Sequence, residues 1–327
     1  MLKNNIIDNS SNNLLGWLDS VTKAFGQIVA VSEVSFAIPK GSIMGFLGPN
    51  GSGKTTSIRM MLGLIKPQLG EVRLLNENPF TNSKIKQNIG YVPEYSIFPN
   101  WIKAKDFLSK FSQLNLPREE AKKRALEILE QLMLKDVADK KIIEFSKGMK
   151  QRIKLAQALI HRPQLVIADE PFNGLDPVIR KHVFDLIREY RETYDMTFFV
   201  SSHILFEIDR LADQIVLLYK GRAIAQGAPK RIRSMIQEQP HSIEISSPVI
   251  QQISSLLINH LDEDIISSLQ FSKNPRTEEK QLIVTTLEPM KFYHLFTELI
   301  ADNGIFVREI RPTDEGLESL FQSLTIG

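Results

Sequence analysis

The sequence predicts an α/β fold, a mainly parallel, helix-covered sheet over residues 17–227, with a smaller α+β domain over residues 241–327. Three observations carry this. Strand-like and helix-like segments alternate from Trp17 to about Gly227, as parallel strands joined by helices do. The loop Gly48-Pro49-Asn50-Gly51-Ser52-Gly53-Lys54-Thr55-Thr56 fits Gly-x-x-x-x-Gly-Lys-[Ser/Thr], between an apolar run, Ile43 to Leu47, and a helical stretch, Thr56 to Ile65. Beyond His241 the order becomes β-α-β-β-α-β plus a helix, which matches a split βαβ arrangement of ferredoxin-like type.

Residues 1–16 lack a basic-then-apolar signal pattern and, Asn/Ser-rich at their start, read as a disordered lead-in. Val29 to Ile38 alternates as a strand does, and Glu71 to Leu75 follows the Lys66-Pro67 turn and Gly70. Pro117 to Leu134 reads as a helix. Pro117 suits its first turn, Glu119 and Glu120 complement its dipole, and Ala121, Ala125, Ile128, Leu129 and Leu132 share a face. Leu165 to Ala168 suits a strand buried on both sides. Asp176 caps a helix beginning at Pro177. Thr197–Val200 and Gln214–Tyr219 are strands, and His203–Ala212 between them is a helix.

Residues 228–240, polar with a proline near each end, read as a linker. His241–Ser246, Ser267–Ser272, Gln281–Thr286 and Ile305–Ile310 are the expected strands of the second domain. Lys273 to Lys280 is a polar loop. Val249–Leu261, Pro289–Asp302 and Thr313–Leu324 are the expected helices, and Gly304 is a fitting C′ residue.

Composition narrows the class. The chain has 327 residues, 43% hydrophobic and 24% charged, which is an ordinary globular mix. A formal charge of +2 gives no case for nucleic acid as a partner. With zero cysteines, disulfides and a catalytic thiol are excluded. No run of about 18 apolar residues occurs, so no segment reads as a membrane-spanning helix, and a cytoplasmic location is expected.

In its strand–helix setting the glycine-rich loop points backbone N–H groups at a polyphosphate, and the helix N-terminus adds partial positive charge. Lys54 is placed for the β- and γ-phosphates and the Thr55 hydroxyl for Mg²⁺. Leu165 to Ala168 runs into Asp169 and Glu170. A Mg²⁺ ion needs a carboxylate near the loop hydroxyl, and Asp169 is placed to supply it. Glu170 is placed to orient and polarise the attacking water. The chain is expected to bind and hydrolyse a nucleoside triphosphate. Ser146, before Lys147-Gly148-Met149-Lys150-Gln151-Arg152, reads as an N-cap or as a second phosphate-binding helix start.

At this point the chain resembles the ATP-binding cassette (ABC) family. The family signature Leu-Ser-Gly-Gly-Gln stands here as Phe145-Ser146-Lys147-Gly148-Met149, similar to the Ser-Lys-Gly-Met variant among drug- and antibiotic-exporter ATPases. Gly174-Leu175-Asp176-Pro177 resembles the D-loop, and Ser201-Ser202-His203 the switch histidine. The resemblance implies a P-loop NTPase domain with a helical subdomain, and a C-terminal extension typical of that exporter subgroup. It places Phe25 on adenine, His203 on the γ-phosphate, and Ser146, Gly148 and Asp176 at a nucleotide held by a second cassette. Glu94 falls where most members carry a Mg²⁺-contacting glutamine. The implied partners are a separate transmembrane permease and a second cassette in a head-to-tail dimer enclosing two ATP-Mg²⁺. The implied location is the inner face of the membrane. A soluble ABC ATPase that remodels a macromolecular assembly is the alternative; such proteins carry long coiled coils or two cassettes, which this sequence lacks.

Overall fold

The computed structural model describes residues 13–312 except 96, 115, 238–240, 263 and 274–279. The chain divides into two compact units, Met1–Pro229 and Lys230–Gly327.

The first unit begins with a long antiparallel hairpin, β1 (Leu14–Phe25) and β2 (Ile28–Pro39), then β3 (Ile43–Leu47) and α1 (Lys54–Met61). There follow β4 (Leu69–Leu74), β5 (Ile89–Val92), α2 (Ala104–Ser112), α3 (Arg118–Gln131) and α4 (Lys147–Leu159). The unit continues through β6 (Leu165–Ala168), α5 (Pro177–Tyr194), β7 (Thr197–Ser202), α6 (Leu205–Leu211), β8 (Gln214–Tyr219) and β9 (Arg222–Gly227). Six strands form one sheet in the order β5-β6-β7-β3-β8-β9, parallel except for the β8–β9 hairpin. Every residue of β3, β6 and β7 is buried, which is why β3 and β6 read as unbroken apolar runs; in β7 only Phe198–Val200 is apolar.

A second sheet, in the order β2-β1-β4, is antiparallel throughout. The two sheets meet through three rings. Phe36 of β2 lies 5.4 Å from both Phe46 of β3 and Phe199 of β7, and the latter two are 5.1 Å apart. Such clusters bury large areas in favourable tilted or offset geometry. Ile58, Met60 and Met61 of α1 join the same core, which fixes the helix directly behind the glycine-rich loop. Between β5 and β6, α2 and α3 form the helical layer, where Phe107 packs against Phe98 and Phe111 at 5.4 and 4.9 Å. Tyr95, Ile97 and Trp101 near its start remain exposed.

The second unit holds α7 (Pro229–Gln237, its first residue in unit one), β10 (His241–Ser246), α8 (Ile250–His260), β11 (Ser268–Lys273), β12 (Lys280–Thr286), α9 (Pro289–Asp302) and β13 (Glu309–Pro312). Its strands are antiparallel in the order β11-β12-β10-β13, the order of a split βαβ unit. Ile243, Ile245, Leu282 and Val284 pack with Ile253, Leu257, Phe292 and Phe296 of the two helices. Gly304 takes φ +61° just past α9, as a C′ residue does.

The structure corrects several expectations. The lead-in is shorter than 1–16, because Leu14, paired with Pro39, already opens β1. Residues 229–237, expected within a linker, are the helix α7: Pro229 suits its first turn and Ile232 is fully buried. Ile305–Val307 are not strand; β13 starts at Glu309. β1, β5 and β9 had no sequence prediction. In β1 the register shifts near Leu18–Val21 and Val21–Lys23, with Ser20 at φ +50°, and such bulges break the alternation a strand shows. The helix expected over 313–324 and most of the 273–280 loop lie outside the described residues.

Candidate active site

The site forms where β3, β6 and β7 end side by side. Leu47 pairs with Ser202 and Ala168 with Val200, so the glycine-rich loop, the acidic pair and the Ser201–His203 turn leave the sheet together. Gly53 sits at φ +103°, and a Cβ there would come within 2.4 Å of the Ala30 carbonyl. Only glycine fits that left-handed, crowded position before the helix. The contact also brings the β1–β2 hairpin, with Phe25 at its tip, beside the loop. Phe25 is half exposed, with the Lys23 amine 5.5 Å from its ring. The loop is braced from the other side by Gly221 N, which donates to Ser52 O at 2.9 Å.

Lys54 is buried. Its Nζ donates to Gly48 O at 2.6 Å and Pro49 O at 3.2 Å, and lies 3.4 Å from Glu170 Oε1. The other Glu170 oxygen, Oε2, meets His203 Nδ1 at 2.9 Å. The three expected catalytic residues are therefore one connected group around a single carboxylate. His203, expected at a γ-phosphate, is here held by Glu170.

Asp169 is fully buried beside this group, and Ser201 Oγ donates to its Oδ1 at 2.7 Å. The same hydroxyl accepts Glu170 N at 3.0 Å. Glu170 itself stands at φ +50°, an uncommon, strained region for a long side chain. Gln151 Nε2 holds the following peptide, donating to Pro171 O at 2.8 Å. Burial holds the Asp169 carboxyl above the ordinary carboxylate range; the Ser201 and Thr55 hydroxyls oppose this, and Glu94 and Glu170 add to it.

Asp169 Oδ2 is buried without a geometrically sound hydrogen bond. Among the described residues there is no cluster of three or more His, Cys, Asp or Glu able to hold a metal. One orphaned carboxylate oxygen beside a threonine hydroxyl suits Mg²⁺, which takes few protein ligands and relies on phosphate oxygens and water. The residues present fit the ion. Glu94 is half buried; its charge reaches Asp169 and the Tyr95 hydroxyl is hydrogen-bonded to it.

Among the described residues, no hydrogen bond or ion pair joins Ser146, Gly148 or Asp176 to this group. Ser146 Oγ accepts Met149 N at 3.2 Å and Asp176 Oδ1 accepts Ile179 N at 2.9 Å, so both act as N-caps of α4 and α5. A Cβ on Gly148 would stand 2.8 Å from Gly174 O, which seats the start of α4 on the turn before α5.

Three positioning contacts had no sequence prediction: Ser201, Gln151 and Lys154. Lys154, buried on α4, donates to Pro93 O at 2.9 Å and Glu94 O at 2.8 Å. Burial pushes its amine down to about 8, against the charge of Glu94. The only sequence signals were a serine closing an apolar strand and a lysine between apolar helix positions.

Residues 31–173 match the ABC transporter family. The chain is 34% identical to an uncharacterised ABC transporter ATP-binding protein, YxlF, of Bacillus subtilis (strain 168), over 93% of this chain and 97% of that protein. It is 31% identical to the bacitracin transport ATP-binding protein BcrA of Bacillus licheniformis, over 94% and 96% respectively. Among solved structures, the dimeric bacterial ABC transporter cassette MJ0796 is 27% identical with a TM-score of 0.62, covering 65% of this chain and 98% of that one. The chain belongs to the ABC transporter ATP-binding proteins. Its first unit is an ATP-hydrolysing cassette with the P-loop NTPase fold.

Proposed function

We propose that the chain powers a separate membrane permease, with export as the direction, through ATP-driven pairing of two cassettes. The observation that carries the chemistry is the Glu170 carboxylate, held between Lys54 Nζ at 3.4 Å and His203 Nδ1 at 2.9 Å. Lys54 exchanges the Gly48 and Pro49 carbonyls for the β- and γ-phosphate oxygens when nucleotide enters the loop. Phe25 offers a ring face to adenine; base–aromatic stacking contributes about 1–3 kcal/mol. Thr55 and Asp169, with Glu94 near, would hold Mg²⁺, which when bound would screen the charge that builds on the phosphates. Glu170 takes the proton of the attacking water, kept in place by Ser201 at its N–H and by His203 at Oε2. His203 turns its free ring nitrogen toward the γ-phosphate. The products are ADP and phosphate.

Ser146 and Gly148 open α4 at a helix N-terminus, a ready anion site. Neither shares a hydrogen bond with Lys54; on this reading they serve the ATP of a second cassette, with Asp176 at the boundary between the copies. No described helix is long and apolar enough to cross a membrane; the reading assigns the translocation path to the permease. The likeness to a bacitracin transport protein over almost the whole chain supports this reading, as does the Ser-Lys-Gly-Met signature. Detergent pull-down from membranes tests it. Recovery of a polytopic membrane protein is expected; recovery of ribosomal or other soluble partners alone contradicts it.

A further inference from the structure

The turn that carries His203 is tied to the turn that opens α5 by one carboxylate. Glu207 of α6, 3% exposed, accepts the Ser202 hydroxyl on Oε2 at 2.6 Å and pairs with Arg180 Nη1 through Oε1 at 3.2 Å. Ser202 Oγ also accepts Ile204 N at 3.0 Å, so the chain is held on both sides of His203. Arg180, in the first turns of α5, donates through Nη2 to Leu175 O at 3.3 Å. Gly174, one residue earlier, is the residue against which Gly148 packs, and the methylene stem of Lys147 lies on it. A continuous line of contacts therefore runs from Gly148 through the 174–175 turn, Arg180 and Glu207 to Ser202. The next residue, His203, bonds Glu170.

This pair is not placed as a simple packing element. Each partner directs its bonds to a loop: Arg180 to a turn carbonyl, Glu207 to a strand-end hydroxyl. Burial pushes the Glu207 carboxyl up, while the Ser202 hydroxyl and Arg180 favour its charge. Losing Arg180 leaves the buried Glu207 carboxylate without its counter-charge. Close-packed interiors with discrete bonding arrangements pass on a displacement better than they absorb it. A shift of the α4 start against Gly174 is then felt at His203.

We propose that Arg180 and Glu207 are positioning residues that couple the signature end of α4, which serves the partner's ATP, to the hydrolytic group of the same chain. The proposal rests on the paired-cassette reading above. Its consequence is that nucleotide at one site of the dimer speeds hydrolysis at the other, without being required for it.

The test uses the full-length chain with Glu207→Gln, Arg180→Met and the double variant, compared by Hill coefficient in ATP, kcat and melting temperature. Glu207→Gln keeps the size and the Ser202 contact, which guards against simple misfolding. A wild-type Hill coefficient above 1 is expected, falling to about 1 in each variant, with the double no worse than either single. Unchanged cooperativity in the variants, a wild-type coefficient of 1, additive losses, or a kcat that merely follows the folded fraction overturns the coupling. Sedimentation of the Glu170→Gln chain with ATP separates the two ideas. Absence of a dimer there removes the pairing and the coupling with it, whereas a normal dimer with unaltered cooperativity overturns the coupling alone.

Discussion

His203 Nδ1 lies 2.9 Å from Glu170 Oε2 at a carboxylate whose other oxygen faces Lys54. In the proposed mechanism the histidine orients the group assigned to accept a proton, and its second nitrogen is assigned to phosphate. His203→Ala is expected to lower kcat by about 100-fold while ATP affinity changes little. Steady-state ATPase assays beside equilibrium nucleotide binding give both numbers.

Glu170→Gln keeps the size of the side chain and removes the proposed base. Hydrolysis is expected to fall by about 100- to 10,000-fold with ATP still bound. Single-turnover measurements check this, and a wild-type rate would reassign the base.

Ser201→Ala removes one hydroxyl that serves two partners, Asp169 Oδ1 and Glu170 N. Leaving buried polar groups unpaired costs about 1–3 kcal/mol. Denaturant unfolding of the variant is expected to show a loss of that size, and the Mg²⁺ requirement for turnover should rise.

Lys154 makes stability depend on pH in a defined direction. Its amine titrates at about 8 in the folded chain and near 10.5 when unfolded. Between those values the unfolded chain binds more protons, so stability rises with pH across that window. The gain is at most about 3 kcal/mol. Lys154→Met should flatten that rise, read as the difference between the two proteins in unfolding midpoints from pH 7.5 to pH 10.

The legible part of the site was local in sequence. The loop Gly48–Thr56 and the Asp169-Glu170 strand end each carry their chemistry within a few residues, and they fall together because parallel strands end on the same edge. Ser201, Gln151 and Lys154 were present in the sequence but without a role. Their partners are distant in the chain: Lys154 reaches back to Pro93, and Gln151 forward to Pro171. No periodicity encodes such contacts. The fold followed the same division. Unbroken apolar strands such as β6 were readable, whereas bulged β1 and the amphipathic α7 were hidden by local irregularity and a polar composition.

Mixing two inactive chains tests the central claim most directly. Ser146→Arg keeps the glycine-rich loop and spoils the signature, while Lys54→Ala does the reverse. In a head-to-tail pair each sound loop of one faces the sound signature of the other. Each variant alone is expected to be inactive and their mixture, with one sound site in each mixed pair, to regain part of the wild-type turnover. A mixture as inert as its components, or a Ser146→Arg chain that hydrolyses ATP unaided, would contradict the account.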